Sequence, residues 1–137
     1  MNPSAQRAFR WAVLALATLV IIGVFLQVYF IAVYILGGDA DALDAHENLG
    51  GIVHAVEVLT FLAAIGGYWK RWGEVGLSFA LAVVGTVQFG LVDAGNEWVG
   101  GFHGLLALIV LILAHAVASR TVRELGLGRH GPAGPAS

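Results

Sequence analysis

The chain has 137 residues, of which 58% are hydrophobic and 12% are charged, and its mean hydropathy is +0.83. A soluble domain does not need this much apolar surface, so we expect a protein that is dissolved in lipid. The formal net charge is −2, and there is no cysteine, which excludes disulfides, iron–sulfur clusters, thiolate metal sites and covalent c-type haem attachment.

Four apolar runs carry the hydrophobic excess. Each has at least 18 residues, which is enough to cross a ~30 Å hydrocarbon core as a helix. They lack the polar stripe that every helix of a soluble bundle shows. Arg7 and Arg10 precede the first run, which is too long for a signal peptide, so we interpret it as a retained helix. The runs cover residues 11–36, 49–69, 75–92 and 98–119.

These runs predict an all-α fold with helices at about 8–37, 46–69, 73–93 and 97–120. The connections are short, including residues 37–47 between the first two helices, and short connections favour antiparallel neighbours. We therefore predict an integral membrane up-down-up-down four-helix bundle over residues 1–125. The Gly- and Pro-rich residues 126–137 are predicted to be a disordered cytoplasmic tail, and His130 in that tail is given no role.

Positive charge lies on one side of the predicted bundle. The loops on the other side carry only acids. The positive-inside rule then places both termini in the cytoplasm, and we expect a multi-pass protein of the bacterial inner membrane. Because the charges are segregated by face, the small net charge identifies no partner, and no nucleic-acid partner is expected. The cations are Arg7, Arg10, Lys70, Arg71, Arg120, Arg123 and Arg129.

One polar residue in each helix lies at a common predicted depth. Each is 16 or 17 residues from a cation, or ~25 Å at the helical rise. Histidines and amides in hydrocarbon are costly unless they bind a ligand or each other, so this layer is the best indicator of function. The layer consists of Gln27, His54, Gln88 and His103.

The two layer histidines are predicted on diagonal helices of a square bundle. A diagonal of roughly 12–14 Å, from neighbouring axes ~8–10 Å apart, leaves room for a flat macrocycle between two imidazoles. His54 and His103 are therefore candidate iron ligands of one haem b, with Gln27 and Gln88 orienting the imidazoles or the ring edge. The alternative is a polar network that holds helices together.

The remaining histidines leave a second ligand pair open. His46 lies eight residues before His54, so a haem on His46 and His103 is possible if the second helix is displaced. His46 otherwise lies at the rim or binds a haem propionate. Two stacked haems are not expected, because His46–His54 and His103–His115 have unequal spacings of 8 and 12 residues. Glu57 and His115 are a possible proton or hydrogen-bond site, since Glu57 can bond His115 or Thr86.

Two segments, GGIVHAVEVLTFLAAIGGYWKRW and GGFHGLLALIVLILAHAVASR, resemble the ligand helices of heme A synthase. One half of that enzyme is a four-helix bundle that holds haem between histidines on its second and fourth helices. The resemblance spans roughly residues 8–123 and implies haem binding by His54 and His103. Gly51 and Ala55 stand where that family has Glu and Arg, so the resemblance does not extend to haem hydroxylation.

The segments HENLG and FHGLLAL are also similar to those of small uncharacterised four-helix bacterial membrane proteins. That second resemblance implies the pair His46 and His103 and carries no function.

Three functions follow from these patterns. The first is a small b-type cytochrome with one bis-histidine haem near the outer face, passing electrons to quinone or other respiratory proteins. The second is a non-enzymatic subunit of a membrane complex or oligomer. The third is a small transporter or proton conduit that uses Glu57. A complete enzyme is less expected than an electron carrier or a binding subunit.

Overall fold

A computed structural model describes residues 2–92 and 96–127. It contains four α-helices, which confirms the predicted all-α class. Each is long and apolar enough to cross a membrane. The helices are α1 (Pro3–Gly37), α2 (Ala40–Gly67), α3 (Trp72–Val92) and α4 (Glu97–Leu125).

The helix starts differ most from the sequence prediction at α2, which begins at Ala40 instead of near residue 46. The Asp39 side chain caps α2 by accepting hydrogen bonds from the backbone N–H groups of its first turn. Only Gly38, with φ of 68°, and Asp39 separate α1 from α2. The connection predicted over residues 37–47 is therefore replaced by helix, and His46 lies well inside α2.

Capping residues also make α1 and α4 longer than the sequence predicts. α1 begins at Pro3, because the Asn2 side chain accepts a hydrogen bond from the Ser4 backbone N–H and proline suits the first helical turn. α4 continues to Leu125 and ends at Gly126, whose φ of 77° is typical of a helix C-terminus. Residues 128–137, with His130, lie outside the described residues.

The four helices form a square, antiparallel bundle. Each helix packs against its two neighbours, and in the described part of the chain the diagonal pairs α1–α3 and α2–α4 do not come within 8 Å between Cα atoms. Arg10 of α1 bonds Gly67 of α2 at one end, while Gln27 of α1 bonds His46 of α2 at the other. We call these the basic end and the acidic end.

The apolar core fills the basic end and the middle of the bundle. One cluster of buried residues surrounds Val13, Ala64 and Val117 near the basic end, and a second joins Val20, Val24, Val53, Leu81, Val110 and Ala114 at mid-bundle. Among the described residues 25–37, 40–52, 86–91 and 98–109, Ala42 is the one buried hydrophobic side chain. The acidic end therefore has almost no apolar core of its own.

A polar clamp closes the basic end around Tyr68. The buried Tyr68 hydroxyl donates to Thr121 Oγ1 at 2.8 Å, and the guanidinium groups of Arg10 and Arg71 lie 5.3 and 5.5 Å from the Tyr68 ring centre. Arg71 binds both Glu124 oxygens, at 2.6 and 2.8 Å. Burial raises the pKa of Tyr68, and the Glu124 hydrogen bond raises the pKa of Arg71. This clamp ties α1, the α2–α3 turn and α4 together.

Candidate functional site

The acidic half of the bundle holds the polar residues that the sequence singles out. The structure joins Gln27 to His46, Gln88 to His103, and His54 to Glu57. His46 and His103 lie next to each other, with ring centres 6.2 Å apart. His54 does not share this contact. Of the two ligand pairs that the sequence leaves open, the structure brings His46 and His103 together.

His46 is fixed by two hydrogen bonds between α1 and α2. Its Nδ1–H donates to the Gln27 backbone carbonyl at 3.0 Å, because a carbonyl oxygen can only accept. In return the Gln27 side-chain amide donates to the His46 backbone carbonyl at 3.0 Å. A Cβ on Gly50 would lie 3.1 Å from this amide nitrogen, so glycine there leaves space for the Gln27 side chain.

His103 is oriented in the same way from α3. Its Nδ1–H donates to the Gln88 backbone carbonyl at 3.3 Å. The sequence prediction gave this orienting role to the glutamine side chains, whereas the structure uses the two backbone carbonyls. Such a contact depends on where the backbone lies, so no residue type in the sequence can signal it.

Both imidazoles of the pair could bind a metal ion through Nε2. With Nδ1 carrying the proton, the neutral ring has its lone pair on Nε2. Neither Nε2 atom has a hydrogen-bond partner in the described part of the chain. A histidine that binds metal through one nitrogen usually donates its other N–H to a carbonyl or carboxylate, which fixes the tautomer and the ring. His46 and His103 share this arrangement.

The spacing of the two rings fits one metal ion between them. Metal–imidazole bonds of about 2 Å on opposite sides of an ion put the ring centres roughly 6 Å apart. The observed separation is 6.2 Å, and the ring planes are inclined by 69°. Two imidazoles supply only two of the six iron ligands, so a haem, whose ring supplies the other four, matches this donor set.

Glycines are frequent on the helices at the acidic end. A Cβ added to any of five of these glycines would meet no atom within 4 Å. They are Gly51, Gly90, Gly100, Gly101 and Gly104. These five positions, on α2, α3 and α4, therefore face open space instead of a packed neighbour.

His54 belongs to a different group of contacts. Its Nδ1 lies 3.1 Å from Glu57 Oε2, its Nε2 lies 3.4 Å from Thr86 Oγ1, and its ring centre is 5.2 Å from that of Phe89. Both ring nitrogens are therefore directed at protein partners. His46 and His54 are eight residues apart, which is an 80° rotation on a helix, so His46 faces α4 while His54 faces α3.

His115 lies apart from both groups. It is exposed on α4, and its described hydrogen-bond partner is Ser119 Oγ, 3.2 Å from His115 Nε2. Glu57 does not reach it and bonds His54 instead. In the described part of the chain, these contacts form no continuous polar path along the bundle.

Comparison with known proteins adds no relative. No protein-family model matches the chain, and no characterised protein or solved structure is significantly similar to it. The resemblance to heme A synthase stays a prediction from the two segments quoted above.

Proposed function

We propose that this chain is a small integral membrane b-type cytochrome in which His46 and His103 hold one haem near the acidic end. The observation that carries the proposal is the imidazole pair, with ring centres 6.2 Å apart and each Nδ1 bound to a backbone carbonyl. This assignment replaces His54 with His46 as the ligand on α2.

Membrane insertion is supported by the four apolar helices and by the separation of charge along the bundle. All the cations among the described residues lie at the basic end. The positive-inside rule then puts the basic end and both termini in the cytoplasm, in the bacterial inner membrane. The haem lies near the outer face in this orientation.

Electron transfer follows from the proposed ligation. When bound, the haem would supply a centre that gains and loses one electron, and ligation by both His46 and His103 would leave no site for oxygen. The protein holds the two imidazoles in place through the carbonyls of Gln27 and Gln88, so the ligand geometry need not change with the iron charge. The electron partners are proposed to be a membrane quinone or another respiratory protein.

A second candidate is a non-enzymatic packing subunit of a membrane complex. It is favoured by the reciprocal Gln27–His46 hydrogen bonds, which join α1 and α2 without any cofactor. Interhelical hydrogen bonds of this kind stabilise membrane helices by about 1 kcal/mol. The two candidates differ in whether the purified protein is coloured.

The test is the absorption spectrum of the protein purified in detergent from haem-supplied cells, before and after reduction by dithionite. The proposal expects a Soret band, sharpened α and β bands on reduction, and one haem per chain. His46→Ala and His103→Ala should each abolish the low-spin spectrum, and added imidazole should restore it. His54→Ala is the matched control on the same helix and should keep the spectrum.

Three results would contradict the assignment. A colourless wild-type protein with a normal helical circular dichroism spectrum supports the packing subunit instead. Loss of the spectrum in His54→Ala, together with its retention in His46→Ala, returns the ligand to His54. Stoichiometric binding of a metal other than iron, without haem, rejects the cytochrome.

A further inference from the structure

Among the described residues, the most buried carboxyl group is that of Glu57, on α2. It is 2% exposed, and its described hydrogen-bond partner is His54 Nδ1 at 3.1 Å. α3 makes room for this contact with Gly85, because a Cβ there would overlap Glu57 Oε2 and would lie 3.0 Å from His54 Nδ1. The bundle is therefore shaped around a carboxyl–imidazole pair that the proposed haem ligation does not use.

The hydrogen bonds around His54 leave one mobile proton. The Thr86 hydroxyl donates to the Ala82 carbonyl at 2.9 Å, so it faces His54 Nε2, 3.4 Å away, as an acceptor. His54 Nε2 accordingly carries a hydrogen. The edge between His54 Nδ1 and Glu57 Oε2 then holds one further proton, which can reside on either atom.

No other charged group faces the pair among the described residues. α3 contributes Thr86 and Phe89, and α1 and α4 contribute apolar side chains of the mid-bundle core such as Val20 and Val110. Of the other histidines, His46 and His103 lie toward the acidic end, and His115 bonds Ser119 on the exposed side of α4. Loss of the shared proton therefore leaves an uncompensated negative charge.

His54 is the more exposed member of the pair. Its side chain is 25% exposed, compared with 2% for the Glu57 side chain. The imidazole therefore forms the outer edge of the pair, on the α2–α3 side of the bundle, and the carboxyl lies behind it.

We propose that His54 and Glu57 form an intramembrane proton-binding site whose shared proton is taken up when the haem is reduced. The link to reduction rests on the proposed function. Leaving its propionates out of the count, a haem held by two neutral imidazoles would carry one positive charge when oxidised and none when reduced. The pair carries one negative charge without its shared proton and none with it. One electron from a quinol or an electrode and one proton from water therefore leave the total charge unchanged.

The separation is short enough for this coupling. His54 is eight residues from the proposed ligand His46, or ~12 Å along the helix. At an effective dielectric constant of about 20, one unit charge at that distance changes the proton affinity of the pair about tenfold. The midpoint potential should therefore fall as pH rises through the range in which the pair titrates.

The experiment combines redox titration with infrared spectroscopy on the full chain. Redox titration of the haem-loaded protein is repeated over a pH series for wild type, for Glu57→Gln and for Asp41→Asn. Glu57→Gln keeps a hydrogen-bonding group of similar size but has no exchangeable acid proton. Asp41→Asn removes one exposed acid from the first turn of the same helix. Infrared difference spectra of haem-free protein between about pH 5 and 8 follow the Glu57 carboxyl directly.

The pH dependence of the potential should be present in wild type and in Asp41→Asn, and absent in Glu57→Gln. An unchanged dependence in Glu57→Gln overturns the redox link. If Glu57→Gln does not fold, His54→Gln replaces it and should also abolish the dependence. An infrared carboxyl band that titrates in wild type and is missing in Glu57→Gln supports the proton site even if no haem binds, in which case only the redox link falls. Absence of any titrating band of either the Glu57 carboxyl or the His54 imidazole overturns the site itself.

Discussion

Gly85→Ala is the most direct test of the packing around Glu57. The new methyl group would overlap the Glu57 carboxyl oxygen and lie 3.0 Å from His54 Nδ1. Because Glu57 is 2% exposed and is enclosed by α2 and α3, the carboxyl cannot move aside without losing its bond to His54. The smallest possible side-chain addition should therefore break the pair.

The change in the free energy of unfolding combines two destabilising contributions and one stabilising contribution. Overpacking a well-filled interior costs about 1–3 kcal/mol, and leaving the buried carboxyl without its partner costs about 1–3 kcal/mol more. Alanine is favoured over glycine within a helix by about 1 kcal/mol. The free energy of unfolding should thus fall by about 1–5 kcal/mol, or at least severalfold in the unfolding equilibrium constant.

The measurement is reversible unfolding by sodium dodecyl sulfate in mixed micelles, followed by far-UV circular dichroism. Gly76→Ala is the matched control, since Gly76 lies on the same helix and a Cβ there meets nothing within 4 Å. It should be neutral or stabilising. In a Glu57→Ala background the carboxyl that the new methyl group would overlap is absent, so Gly85→Ala should no longer destabilise the protein. The double-mutant coupling energy between the two positions should then be about 2–6 kcal/mol.

Equal stability of Gly85→Ala and Gly76→Ala would show that Glu57 does not restrict the side chain at position 85. An equal cost of Gly85→Ala with and without Glu57 would show that the destabilisation has a source other than the carboxyl.

Three further predictions concern the clamp at the basic end. Tyr68→Phe removes the 2.8 Å hydrogen bond to Thr121 but leaves Thr121 hydrogen-bonded to a helix carbonyl. It should therefore lower the free energy of unfolding by only about 1 kcal/mol. A loss above ~3 kcal/mol, as for aromatic truncation, would contradict this expectation. Arg71→Ala breaks an ion pair with Glu124, in which the two side chains are 42% and 30% exposed. We expect the free energy of unfolding to fall by at most about 1 kcal/mol, and by less in high salt. A cost independent of salt would argue against an electrostatic role. Burial raises the pKa of Tyr68 above its ordinary value of 10.0. The contribution of protonated Tyr68 to the free energy of unfolding is therefore complete below pH 10 and is lost as pH rises through the folded-state pKa. The tyrosinate absorbance that wild type shows and Tyr68→Phe lacks should appear only above pH 10.

The fold was predictable because its signals are local. The length and polarity of each apolar run determine a helix without reference to any other segment, and four helices with short connections have few ways to pack. Helix capping is also a local signal, but the helix bounds predicted from the hydrophobic pattern did not use it. Asp39, Asn2 and Gly126 move three helix ends by five or six residues, and the Asp39 cap puts His46 inside α2.

The candidate site was predictable as a set of residues but not as a set of partners. A common depth along the helices follows from residue counting, so the sequence could select Gln27, His54, Gln88 and His103. Which histidine on α2 faces α4 depends on the rotation of α2 about its own axis. That rotation is set by contacts with α1 and α3, such as the space that Gly85 leaves for Glu57.

The sequence alone determined four apolar helices, their antiparallel order and the segregation of charge to one end, since each depends on composition and spacing along the chain. The tertiary structure decided that His46 meets His103 with ring centres 6.2 Å apart, and that His54 pairs with Glu57. It also assigned the orienting contacts to the backbone carbonyls of Gln27 and Gln88. These are relations between helices, and the rotation and tilt of packed helices are fixed only when all four side-chain surfaces interlock.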